Sequence, residues 1–112
     1  MDNTKYKNMS FSHQVISFTR SLRVPDIELP TGFEWLFPYD QPETMQALTA
    51  FYEKYYADLQ PRTFMFGINP GRFGAGITGV PFTDPIRLES ECGIENTFQK
   101  KAELSSIFVW EF

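Results

Sequence analysis

The densest run of residues whose types and spacing could do chemistry lies between Gly67 and Pro85. Gly74-Ala75-Gly76-Ile77-Thr78-Gly79 matches the GxGxxG of dinucleotide-binding turns. That pattern works only when the glycines turn a strand into a helix whose N-terminus receives the pyrophosphate. Here Val80-Pro81-Phe82-Thr83-Asp84-Pro85 follows, and two prolines in that space argue against any such helix. Gly71 to Thr78 also mimics GxxxxGK[ST], but Ile77 stands where the phosphate-binding lysine belongs. Neither phosphate reading survives. From spacing alone, Asn69-Pro70-Gly71 reads as a turn, since Asn-Pro favours turn initiation.

Taken whole, the segment Gly67-Ile68-Asn69-Pro70-Gly71-Arg72-Phe73-Gly74-Ala75-Gly76-Ile77-Thr78-Gly79-Val80-Pro81-Phe82 resembles the first motif of the single-strand-selective monofunctional branch of the uracil-DNA glycosylase superfamily. That loop reads roughly G-M-N-P-G-P-F-G-M-A-Q-T-G-V-P-F, and the two run together without a gap. The run Glu103-Leu104-Ser105-Ser106-Ile107-Phe108-Val109-Trp110 is similar to a later E-V-S-G-x-R-F-W helix, matching at Glu103, Ser105 and Trp110. The likeness covers about residues 60–112. Arg72 replaces a proline, where it would either leave the loop less rigid or add a phosphate contact. Ala75 replaces a methionine, and Phe108 replaces an arginine.

The resemblance implies a DNA glycosylase of base excision repair, which flips uracil or a 5-substituted uracil out of DNA and hydrolyses its N-glycosidic bond. Asn69 would be the catalytic residue, holding the attacking water through its amide. Because an amide is a poor general base, most of the rate would come from polar groups stabilising the leaving uracilate and an oxocarbenium-like sugar. Phe82 would stack on the base, the Ile68 N–H would meet a ring oxygen, and Gly71 would leave space beside ring carbon 5. No metal and no cofactor is implied. The implied fold is α/β, a three-layer α/β/α sandwich with a central parallel sheet, of which this chain would be the N-terminal half. A second asparagine and a catalytic histidine would then lie outside these 112 residues. The alternative is a non-catalytic nucleotide- or base-binding remnant of the same fold, and a third option is a purely structural domain.

The elements that must position this loop can be read from periodicity. From Ser10, apolar residues at Phe11, Val15, Phe18 and Leu22 predict an amphipathic helix ending before Pro25. Residues 23–42 hold four prolines and read as an irregular connection, pinned by Phe33, Trp35, Leu36, Phe37 and Tyr39. Asp40, with Glu43 three residues on, predicts a capped start to a helix carrying Met45, Leu48, Tyr52, Tyr55 and Leu59, stopped by Pro61. The apolar run from Thr63 to Ile68 predicts a central strand of a parallel sheet, covered on both faces. Residues 69–85 are expected to be one long loop without regular structure; residues 98–112 favour a helix, although Ile107 to Trp110 alone also fit a strand. Residues 1–112 are expected to be one incomplete domain with a disordered tail at 1–9, since the chain would stop inside an apolar helix as a fragment does.

Composition bounds the partners. With 42% hydrophobic and 21% charged residues a packed core is expected, and most of the 12 Phe, 5 Tyr and 2 Trp belong in it. A net charge of −4 runs against a DNA partner, since phosphate contacts need clustered cations; a basic face would have to lie elsewhere. The lone Cys92 excludes an internal disulfide and a Cys-only metal site, and reads as a small apolar filler. His13, the single histidine, falls on the first helix as a structural or solvated residue. No membrane span or leader is legible, so a cytoplasmic monomer is the expectation.

Overall fold

The computed structural model describes residues 9–112; of the tail expected at residues 1–9, residues 1–8 lie outside them. Helix α1 runs Phe11–Ser21, capped by Ser10, whose hydroxyl accepts from the His13 N–H at 3.3 Å. Its first free N–H groups are taken up by the chain after the second helix: Phe11 donates to the Asp58 carbonyl at 2.7 Å and Ser12 to that of Tyr56 at 2.9 Å. The expected helix is present, but its buried stripe is Ser12, Ile16 and Thr19, while Phe18 stays 59% exposed. Small residues on that stripe let α1 lie close against its neighbour.

Helix α2 spans Pro42–Tyr55. Asp40 is not its cap. It sits in a single 3-10 turn over Pro38–Asp40, and Pro42 opens the helix, where a missing N–H costs nothing. Glu43 does not close a capping box either; its carboxylate accepts from the Thr97 N–H at 2.6 Å. The buried face of α2 is Thr44, Ala47, Leu48 and Phe51, and Leu59 lies beyond the helix end, exposed. In the connection before it, Phe33, Trp35 and Leu36 are largely exposed, while Phe37, Pro38 and Tyr39 turn inward.

The strand expected at Thr63–Ile68 is not formed. No strand is present among the described residues, and Phe64, Met65, Phe66 and Ile68 are exposed. A strand is held by the ladder of its neighbours, and no described segment runs beside this one to supply it. The three-layer sandwich is therefore not seen here.

Two short helices break the expected loop. Helix α3, Ala75–Thr78, is one turn ended by Gly79 with φ 74°. The prolines do not forbid it because it stops before Pro81. Helix α4, Pro85–Ser90, starts at a proline behind an Asp84 cap, the carboxylate accepting from the Arg87 N–H at 2.8 Å. Asp-Pro ahead of a helical stretch is a start signal, legible but read as loop. Helix α5 covers Leu104–Glu111, shorter than the expected 98–112. The core gathers Ala47 and Phe51 of α2 with Val80, Leu88 and Cys92, edged by Tyr52, Tyr56, Phe98 and Trp110. Each fully buried Val or Leu there contributes about 1.5–3 kcal/mol.

Candidate active site

The loop after Gly67 is closed by its own backbone. The Gly71 carbonyl accepts from the N–H groups of Gly74 at 3.1 Å and Gly76 at 2.8 Å, so the chain doubles back on itself. A β-carbon at Gly76 would stand 2.7 Å from that carbonyl oxygen, so only glycine fits. Beyond it, the fully buried Thr78 locks the far side. Its hydroxyl donates to the Thr83 carbonyl at 2.8 Å and accepts from the Val80 N–H at 3.0 Å. Trp110 on α5 then donates its indole N–H to the Thr83 hydroxyl at 3.1 Å.

Phe82 sits between these two clamps with φ 56°, the one non-glycine residue with a positive φ among those described. A bulky side chain in that region costs on the order of 1–3 kcal/mol, and such strain collects where a side chain must be aimed. The strain aims its ring over the start of the loop, where a β-carbon built on Gly67 would lie 3.4 Å from Cζ of Phe82.

Ile68, Asn69, Gly71 and Phe82 line one cavity of about 580 Å³, joined by Tyr39, Met65, Phe66, Glu103 and Ser105. All four residues singled out from the sequence are thus brought together. The volume is ample for a nucleobase with water beside it. Asn69 is exposed, and its amide N–H donates to the Pro70 carbonyl at 3.0 Å, leaving its amide oxygen free to accept. Ile68 is fully exposed at the rim. Burial raises the Tyr39 phenol above its ordinary value, so it stays protonated and a donor.

Among the lining residues given no role at the site from the sequence, Tyr39 and Glu103 carry ionisable groups. Tyr39 gave no signal beyond its aromatic ring. Glu103 was legible only as part of the second matching run, and it comes close: a β-carbon at Gly71 would stand 2.8 Å from Cδ and from Oε1 of Glu103. The space expected to be open beside Gly71 is filled by a carboxylate.

His13 is exposed on α1 and takes no part in this cavity, and Cys92 is buried in the core with its thiol pushed up by desolvation. A larger hollow of about 760 Å³ between α2 and the chain after α4 is lined by Glu43, whose carboxylate is already engaged by Thr97. No cluster of three metal-ligating side chains occurs among the described residues, and none of their helices is long and apolar enough to cross a membrane.

Among solved structures the chain is similar to a member of the SMUG-like branch of the uracil-DNA glycosylases, so the likeness first read from the loop extends over nearly its whole length. That structure is the wild-type SMUG2 of Pedobacter heparinus, 45% identical, with a TM-score of 0.83 over 92% of this chain. The chain spans 44% of the SMUG2 chain. No family model matches it, and no curated protein does.

Proposed function

We propose that the chain is the part of a DNA glycosylase that carries the first catalytic loop, acting on uracil or a 5-substituted uracil. The observation that carries this reading is the convergence of Asn69, Gly71 and the strained Phe82 on one cavity, in a chain 45% identical to a SMUG2. In this reading Phe82 stacks on the extruded base and the Ile68 N–H meets a ring oxygen. Asn69 turns its amide from Pro70 to the attacking water, and water adds to the sugar as the base leaves as an anion. Such a site acts through fixed polar groups and desolvation rather than a strong base.

The three-layer sandwich belongs to the same reading. An apolar run with both faces uncovered is what a central strand is before its neighbours pair with it. The rest of the protein would supply those neighbours, the groups that read the base edge, and the cations that meet DNA phosphates. Within this chain Arg72 and Lys101 flank the Phe73 ring beside the loop, 5.6 and 4.6 Å from its centre, and offer the first of those cations.

The test is excision. The protein at its full natural length, incubated with a chelator and a single-stranded oligonucleotide holding one uracil, is expected to release uracil and leave an abasic site. Binding without release would favour the non-catalytic alternative, a base-binding module of the same fold. That alternative draws on the net charge of −4 and on the want of a histidine in the cavity.

A further inference from the structure

Glu103 is held in place from its own backbone. Its N–H donates to Oδ2 of Asp84 at 2.9 Å, and the Asp84 N–H donates to the Ser106 hydroxyl at 2.9 Å. Asp84 is fully buried and also pairs with Arg87 at 3.2 Å. The first turn of α5 is thereby fixed to the segment that follows Phe82. From that anchor the Glu103 side chain runs along the loop, its Cγ 3.1 Å from where a β-carbon of Gly74 would be and its carboxylate against Gly71. Among the described residues the carboxylate enters no ion pair, and it lines the same cavity as Asn69 and Phe82. Gly71 and Gly74 make room for an acceptor aimed at the site.

We infer that Glu103 is a specificity-determining residue, selecting bases that present an O–H or N–H donor on the edge facing Gly71 and rejecting those that present an anion there. This rests on the glycosylase reading above and names the substrate class of that site. An ionised carboxylate can only accept, and a hydroxymethyl group on the pyrimidine would donate a charge-assisted hydrogen bond to it. A carboxyl group at the same ring position would bring two negative charges together. A methyl group would leave the carboxylate desolvated without a partner, which disfavours thymine.

The experiment measures single-turnover excision by the full-length protein on oligonucleotides holding uracil, 5-hydroxymethyluracil or 5-carboxyuracil. The wild type is expected to remove the hydroxymethyl base faster than the carboxyl base. In Glu103→Gln the ratio of those two rates should fall about 10- to 100-fold. Comparing ratios between proteins cancels the intrinsic leaving ability of each base and any loss of folded protein. An unchanged ratio, with uracil still excised, would overturn the role of Glu103 while leaving the glycosylase reading intact. Should the variant not fold, the wild type alone decides: equal removal of the hydroxymethyl and carboxyl bases contradicts the inference. A wild type that leaves all three bases in place contradicts the glycosylase reading, and this inference with it.

Discussion

The two walls of the cavity are built differently. On one side, residues 78–88 are tied down: Thr78, Val80, Asp84 and Leu88 are buried, Ser106 and Trp110 of α5 reach across to Asp84 and Thr83, and Glu103 just before that helix runs along the loop. On the other side, residues 63–70 are exposed, and Phe66 and Ile68 have almost nothing against them. The first wall holds a strained Phe82 in one orientation because its neighbours over-determine it. The second holds Asn69 by a single bond to the next residue's carbonyl. Aim is fixed on the stacking side and left adjustable on the side that would meet the water.

The largest expected effect lies on the tied wall. Asp84→Ala removes a buried carboxylate that caps α4, receives the Glu103 N–H and pairs with Arg87, and should cost about 3–5 kcal/mol in denaturant unfolding. A loss below about 1 kcal/mol would mean that this wall is not held as described. On the open wall, Phe66→Ser in the full-length protein should cost about 3 kcal/mol, because the proposed sheet would cover that ring. A change under about 0.5 kcal/mol would leave the wall open in the whole protein and remove the strand from the reading.

Phe82 sharpens the comparison at the boundary. Both Phe82→Ala and Phe82→Gly lose the stacking ring, but only glycine is at ease at φ 56°. The glycine variant should therefore be the more stable by about 1 kcal/mol. Alanine equal to or above glycine would contradict the strain. The smallest effect is far from the cavity. Hydrogen bonds from the Thr97 hydroxyl and N–H hold the Glu43 carboxyl below its ordinary value. A depressed folded-state value gives stability that is present above the unfolded carboxylate value and is lost as pH falls through the folded one. Glu43→Gln should thus be less stable than the parent near neutral pH, with the gap closing below the usual carboxylate range.

Much of this was legible in the sequence. The cavity residues could be named because a gap-free run from Gly67 to Phe82 fixes their order, and the chain closes that run through Gly71 and Gly76 into one loop. Helices α1 and α2 followed from periodicity and Leu48 is buried as expected, yet the buried stripes also take in Ser12, Ile16, Thr44 and Phe51 and leave Phe18 and Tyr55 exposed. Neighbouring elements choose a helix's inner face, and one sequence does not show the neighbour. The strand at Thr63–Ile68 failed for a related reason, since composition reports the wish to be covered but not the cover. The role of Gly71 was half legible: glycine signals a close approach, but only the folded chain shows that Glu103 is what approaches.

The most direct test of the central claim is the rate of abasic-site formation from a uracil-bearing single strand by the full-length protein and by its Asn69→Ala variant. Loss of the one amide proposed to hold the attacking water should slow formation by about 10²- to 10³-fold while DNA binding persists. Equal rates in the two proteins would contradict the account.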